Sequence, residues 1–135
     1  MNMDKISLSE THRRSISASL CVVERIVYEL EYKLKFQEEM TMNKVLNNMG
    51  EMDMQHYDSL INKIKAYICS LYIKYDLTPT EIYLSSEINS KKARMWEILC
   101  ETNSKGLKGY GKFPEEYAQE FDSDIDVLQK LIHKI

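Results

Sequence analysis

Residues 15–34 read SISASLCVVERIVYELEYKL, and the rest of the chain has to accommodate them. Ile16, Leu20, Val23, Val27, Leu30 and Leu34 follow one another at alternating steps of four and three. This spacing lines one seam of a helix at the about 3.5-residue period of paired helices. No Gly, Pro or Thr interrupts the stretch, and Glu29–Lys33 and Glu31–Lys35 are i,i+4 pairs on its polar side. Ser7-x-x-Glu10 has the form of a capping box, so the helix is expected to begin near Ser7 or Ser9. It is expected to run to about Asn48, with Gly50 as its closing glycine. A spine of ~40 residues would be ~60 Å long, more than a compact small domain is wide. That excess predicts a homo-oligomer, a dimer or higher.

Asp53 is expected to cap a second helix carrying Tyr57, Leu60 or Ile61, Ile64, Ile68, Leu71 and Tyr75, folded back on the first as a hairpin over about 7–76. Asp76-Leu77 ends it. Thr78-Pro79-Thr80-Glu81 is a start signal: a Thr cap, Pro at the first helical position and Glu soon after. The next helical region extends to about Asn103, as one helix or as two if Ser90 caps a new one. A Gly/Lys loop over residues 104–113 follows. Pro114-Glu115-Glu116 then opens a last helix with the stripe Tyr117, Phe121, Ile125, Leu128, Ile132 and Ile135. The expected fold is all-α: an antiparallel bundle of four to five helices built on the long N-terminal one, forming a single domain over 1–135.

Composition agrees with that class. The 135 residues are 44% hydrophobic and 29% charged, ordinary for a folded globular chain, and four Gly and two Pro are too few for a turn-rich β fold. No run has the length of a membrane span or the apolar segment of a signal peptide, so a cytoplasmic protein without membrane contact is expected. Cys21, Cys69 and Cys100 have no CxxC spacing and read as small core residues kept reduced.

No motif names a reaction. Glu24, Glu31 and Glu38 share a helix face, but a di-iron bundle needs Glu-x-x-His twice, and the chain lacks it. The acidic stripe reads as solvated, with no metal and no cofactor. None of the three His is set in a nucleophilic constellation, and the glycine loop lacks the order of a dinucleotide site. A catalytic role has no support in the residues.

The basic clusters carry more information. His12, Arg13 and Arg14 lie near the start of the first helix, where the dipole already presents positive charge. Arg13 also stands on the seam, one step before Ile16. One reading packs its stem and leaves its head wet. The other makes this end an anion site, with Ser9, His12, Arg13 and Arg14 as ligands. A second cluster, Lys91, Lys92, Arg94, Lys105, Lys108 and Lys112, stands against Glu97 and Glu101, and its KGLKGYGK loop adds Tyr110 as a stacking group. Together these predict a non-catalytic oligomeric binding protein for a phosphate-bearing anion, a nucleotide or nucleic acid. The expected ligand-binding residues are Ser9, His12, Arg13, Arg14, Lys91, Lys92, Arg94, Lys105, Lys108 and Tyr110.

Two alternatives come from other classes. Residues 78–112 allow a winged helix-turn-helix parse, with Pro79–Glu87 and Ser90–Asn103 as the motif helices and the glycine loop as wing. Alternatively, five of eight Met between Met40 and Met54, with Tyr67, Tyr72 and Tyr75 on one helix, suit an adaptor or inhibitor that binds a protein partner.

Overall fold

The computed structural model describes residues 5–135. The fold is all-α: α1 (Glu10–Lys35), α2 (Glu51–Lys74), α3 (Leu84–Cys100), a 3-10 turn at Gly106–Tyr110 and α4 (Glu115–His133). Among the described residues the one β feature is an isolated bridge between Glu39 and Lys44. The chain divides into two compact units, one ending at Thr80 and one spanning Glu81–Ile135, each built on one antiparallel helix pair.

In the first unit α1 is capped by Ser9, whose hydroxyl accepts from the His12 amide at 3.1 Å. Ser7 is not the cap, and Glu10 instead holds Arg14 at 2.7 Å. The helix is 26 residues, about 39 Å. It stops at Lys35, well short of Asn48, because beyond Leu34 the seam positions pass to Gln37, Thr41 and Lys44, which no neighbouring helix rewards. Residues 36–50 instead fold on themselves, with Met40 donating to the Asn43 carbonyl at 2.7 Å and Val45 to that of Glu38 at 2.8 Å. Gly50 is therefore the N-cap of α2, in place of Asp53, and does not close α1.

Helix α2 ends in a Schellman turn. Leu77 donates to the Tyr72 carbonyl at 3.0 Å and Asp76 to that of Ile73 at 3.3 Å, with Asp76 at φ 52° in the left-handed position glycine usually takes. Aspartate is among the few side chains that tolerate it. Leu77, buried, packs under the turn. Residues 78–83 continue as an extended strap, so the Thr-Pro start signal goes unused and α3 begins five residues beyond Pro79.

In the second unit α3 passes unbroken through Asn89-Ser90, and the region read as one helix or two is one. Solvated Asn and Ser cost a helix interior only about 0.5 kcal/mol each, too little to break it. The two motif helices of a helix-turn-helix are therefore not formed. At the other end of α3, Asp122 on α4 accepts from the Ser104 amide at 2.7 Å and the Ser104 hydroxyl at 2.6 Å, holding the loop down.

The inward arcs are narrower than the seams read from sequence. Val27, Ile61, Leu77 and Ile132 are the buried apolar residues among those described. Val23 and Leu30, expected on the α1 seam, are half exposed, as are Leu128 on α4 and Ile135 just beyond its end. A single helix neighbour covers only part of a 100°-wide apolar stripe.

Candidate functional site

The basic residues were the expected site, and the fold brings few of them together. Arg13 does sit half-buried at the seam, but its guanidinium reaches Asp76 at 3.3 Å and ties the start of α1 to the end of α2. Arg14 pairs with Glu10, and Ser9 is occupied as a cap. The start of α1 is thus internally neutralised, and the positive charge that cost the helix dipole has local carboxylate partners. A small cavity of about 290 Å³ lies beside it, lined by Lys5, Ser7 and Arg13 but also by Asp76.

The second cluster divides. Lys92 donates to the carbonyl oxygens of His133 at 2.8 Å and Ile135 at 3.3 Å, closing the C-terminal end of α4 where a cation is favoured. Lys91 and Lys108 are exposed apart from it. Arg94, Lys105 and Tyr110 do converge, on a cleft of about 870 Å³ between α3 and the 3-10 turn. Glu97 and Glu101 line the same cleft, so its charge is mixed. Gly106 is required at its floor, since a Cβ there would run into the Glu101 carbonyl oxygen.

The ionisable groups with displaced affinity are structural. The Ser104 hydroxyl and amide hold the Asp122 carboxyl below its ordinary value. Lys65 does the same for Glu31, and Glu31 in turn raises Lys65. No group of three His, Cys, Asp or Glu among the described residues is placed to hold a metal ion. The three cysteines are unpaired, and Cys69 and Cys100 are exposed, correcting their reading as core residues. Among the described residues no helix is long and apolar enough to cross a membrane.

What the fold does bring together is apolar surface on one side of the first hairpin. On each helix a charged residue lies four positions past the buried one: Glu31 after Val27, Lys65 after Ile61. These two meet at 2.7 Å across the helix pair, with Lys65 also 4.2 Å from the Tyr28 ring centroid. The strap Leu77–Thr80 lines a pocket with Cys21, Glu24 and Tyr72 on the same flank. That flank carries the charged tie, with Tyr28 and Tyr72 still partly exposed on it. Residues on the opposite flank, three positions past the buried ones or four before them, share the other side of an antiparallel pair. They are Val23 and Leu30 on α1 and Tyr57 and Ile64 on α2, extended outward by Ile26 and Tyr67, and all are exposed. Ile26 is 51% and Tyr67 66% exposed, and the exposed charges Lys33 and Asp53 flank the stripe at the same helical spacing.

The sequence contained this signal. Leu30, Ile64 and Val23 belong to the seams already read, but a seam does not say which part of it the neighbouring helix leaves open. The clustered Met residues add to the outward surface, Met42 at 90% and Met52 at 84% exposure on the loop end of the same hairpin. In comparison with known proteins, no family model matches the chain, and no curated protein and no solved structure is significantly similar to it.

Proposed function

We propose that this chain is a non-catalytic interaction protein that binds helical protein surfaces through the apolar faces of its hairpins. The observation that carries this reading is the apolar stripe left exposed on α1–α2, on the flank away from the Glu31–Lys65 tie. Interface cores have that composition, depleted of charge and enriched in Tyr and Met. An exposed apolar stripe at helical spacing suits a helix laid into it by its own apolar face. Unpaired cysteines suit a reducing, cytoplasmic setting.

The test is to immobilise the full chain and offer amphipathic helical peptides with a Leu/Ile stripe, duplex DNA and nucleotides, each at ~50 and ~500 mM salt. Peptide binding that survives the salt increase is expected, because apolar burial is not screened. Absence of peptide binding, with nucleotide or DNA binding that collapses in salt, would transfer the function to an anion.

A second reading keeps that anion. Arg94, Lys105 and Tyr110 line one cleft, which could take a phosphate-bearing ligand with a ring stacked on the tyrosine. Pyrophosphate or a nucleotide at a hundred times its dissociation constant would add ~2.7 kcal/mol, several degrees in Tm, and Arg94→Ala or Lys105→Ala would abolish the shift. A Tm indifferent to each of these anions removes the reading. Duplex DNA remains in the panel for the regulator alternative, although α3 presents no two-helix turn.

A further inference from the structure

The connection between α1 and α2 builds a concave site at the loop end of the first hairpin. Residues 36–50 fold on themselves, and the Asn47 side chain ties them to the start of α2. Its carbonyl oxygen accepts from the Met49 amide at 3.0 Å, and its amide nitrogen donates to the Met54 sulfur at 3.6 Å. Between this wall and the last turns of α1 lies a groove of about 450 Å³, within the ~300–1,000 Å³ range of small-molecule sites. Leu34, Val45, Met49 and Met54 line it half-buried, and Leu30 and Leu46 line it exposed. Its charged lining residues are Lys33 and Lys35, and no acid lines it. We propose that this groove binds a single-chain amphiphile with an anionic head, of the fatty-acid class, the alkyl chain on the apolar wall and the carboxylate at the lysines.

Charge selects the head group. Lys33 enters none of the ion pairs or hydrogen bonds among the described residues. Lys35 lies 3.9 Å from Glu31, a carboxylate that Lys65 already holds at 2.7 Å, so its ammonium is only loosely engaged. Both lysines stand in the last turn of α1, where the helix dipole favours cations, and their charge therefore costs the fold nothing. Two full positive charges also outweigh the roughly half-unit negative charge of that helix end. A cationic head would meet them with like charge.

The apolar lining selects the tail. No aromatic side chain lines the groove, so a planar ring finds nothing to stack on. The flexible Met49 and Met54 side chains conform to an alkyl chain instead. The cleft of the second unit has the opposite make-up, with Glu97 and Glu101 beside its cations and Tyr110 as a stacking surface. Each methylene fully buried in the groove tightens binding about fourfold, so affinity rises with chain length until the wall is covered.

The experiment titrates the full chain, carrying isotope-labelled methionine methyl groups, with hexanoate, octanoate and decanoate below their micelle concentrations and follows the methyls by NMR. Saturable shifts are expected at Met49 and Met54, growing tighter from hexanoate to decanoate. Met42 and Met52, 90% and 84% exposed and outside the groove, are the internal controls expected to stay still. Decyltrimethylammonium, with the same tail and the opposite charge, is expected to bind about tenfold more weakly or worse than decanoate. Lys33→Glu is expected to weaken decanoate about tenfold and leave decanol unchanged. If circular dichroism shows that Lys33→Glu loses helix, Lys33→Gln reads the same contact with a smaller loss. The absence of a saturable shift at Met49 and Met54 overturns the inference. So do equal shifts at Met42 and Met52, which mean adsorption on exposed methionine, and a decyltrimethylammonium affinity equal to that of decanoate. An amphipathic peptide that shifts Met49 and Met54 while decanoate does not gives the groove to a protein partner and overturns it too.

Discussion

The first hairpin is tied along its length, whereas the second is tied at its ends. Between α1 and α2 the ties are side chain to side chain: Arg13–Asp76 near one end and Glu31–Lys65 towards the middle. Their connection, residues 36–50, bonds mainly to itself. Between α3 and α4 the ties include backbone: Asp122 accepts from the Ser104 amide as well as its hydroxyl at the loop, Gln129 donates to the Cys100 sulfur, and Lys92 donates to the last carbonyls at the other end. A loop anchored to the helix that follows it sets the pairing register by itself. A loop that is not must leave register to side chains along the helices, and this chain supplies them as the Arg13–Asp76 and Glu31–Lys65 pairs. The consequence is that the first hairpin can leave its other flank bare of polar ties.

The comparison can be broken most severely in the core. Ile61→Asp places an unpaired charge at a buried seam position and is expected to cost about 3–5 kcal/mol. Hydrogen exchange should show the loss of protection falling more heavily on residues 10–74 than on residues 84–133. Equal loss in both hairpins would erase the distinction drawn between them.

Next in size is the loop of the second hairpin. Gly106→Ala forces a Cβ against the Glu101 backbone carbonyl, which has no flexible end to move, and is expected to cost about 1–3 kcal/mol. Gly109→Ala, which meets open space, serves as its control in the same urea titration. A Gly106→Ala variant as stable as the parent would mean that the loop does not set the register.

Smaller again is the acid dependence. Asp122 is held below its ordinary value of 3.8 by Ser104, so its contribution is complete above that value and is lost as pH falls through the depressed one. Asp122→Asn is expected to lower Tm at neutral pH and to flatten the fall of stability below about pH 4. Chemical shifts of residues near the loop, followed from neutral pH down to about pH 2, check the direction.

The smallest effect is expected at Glu31→Gln. The pair with Lys65 is partly solvated, and its loss should shift Tm less than any change above. Its mark is in pH dependence: Glu31 is depressed below its ordinary 4.5, so the parent loses this tie on acidification below that value and the variant does not. At the alkaline side Lys65, raised above 10.5, keeps the tie until pH climbs through its elevated value. A variant with altered helix pairing would show instead that the ion pair sets register outright.

Much of this was determined by the sequence alone, and the reason is locality. The presence of four helices, the Asp76-Leu77 stop, the Pro114 start and a Ser cap near residue 9 depend on residues within a few positions of one another, and these are found as the residues indicate. Where a local signal failed, a longer-range one overrode it. The Thr78-Pro79 start yields to a strap held by buried Leu77, and α1 ends early because no partner covers Gln37 or Thr41. The partners of the basic residues were decided only by the tertiary structure. Arg13 and Asp76 are 63 positions apart, and Lys92 meets the end of a helix 41 positions away, so no spacing in the sequence could show that these charges are engaged. The open flank is of the same kind. Periodicity marks Val23, Val27, Leu30 and Glu31 as neighbours on one helix surface, but only the placement of α2 buries Val27, pairs Glu31 with Lys65 and leaves Val23 and Leu30 facing outward.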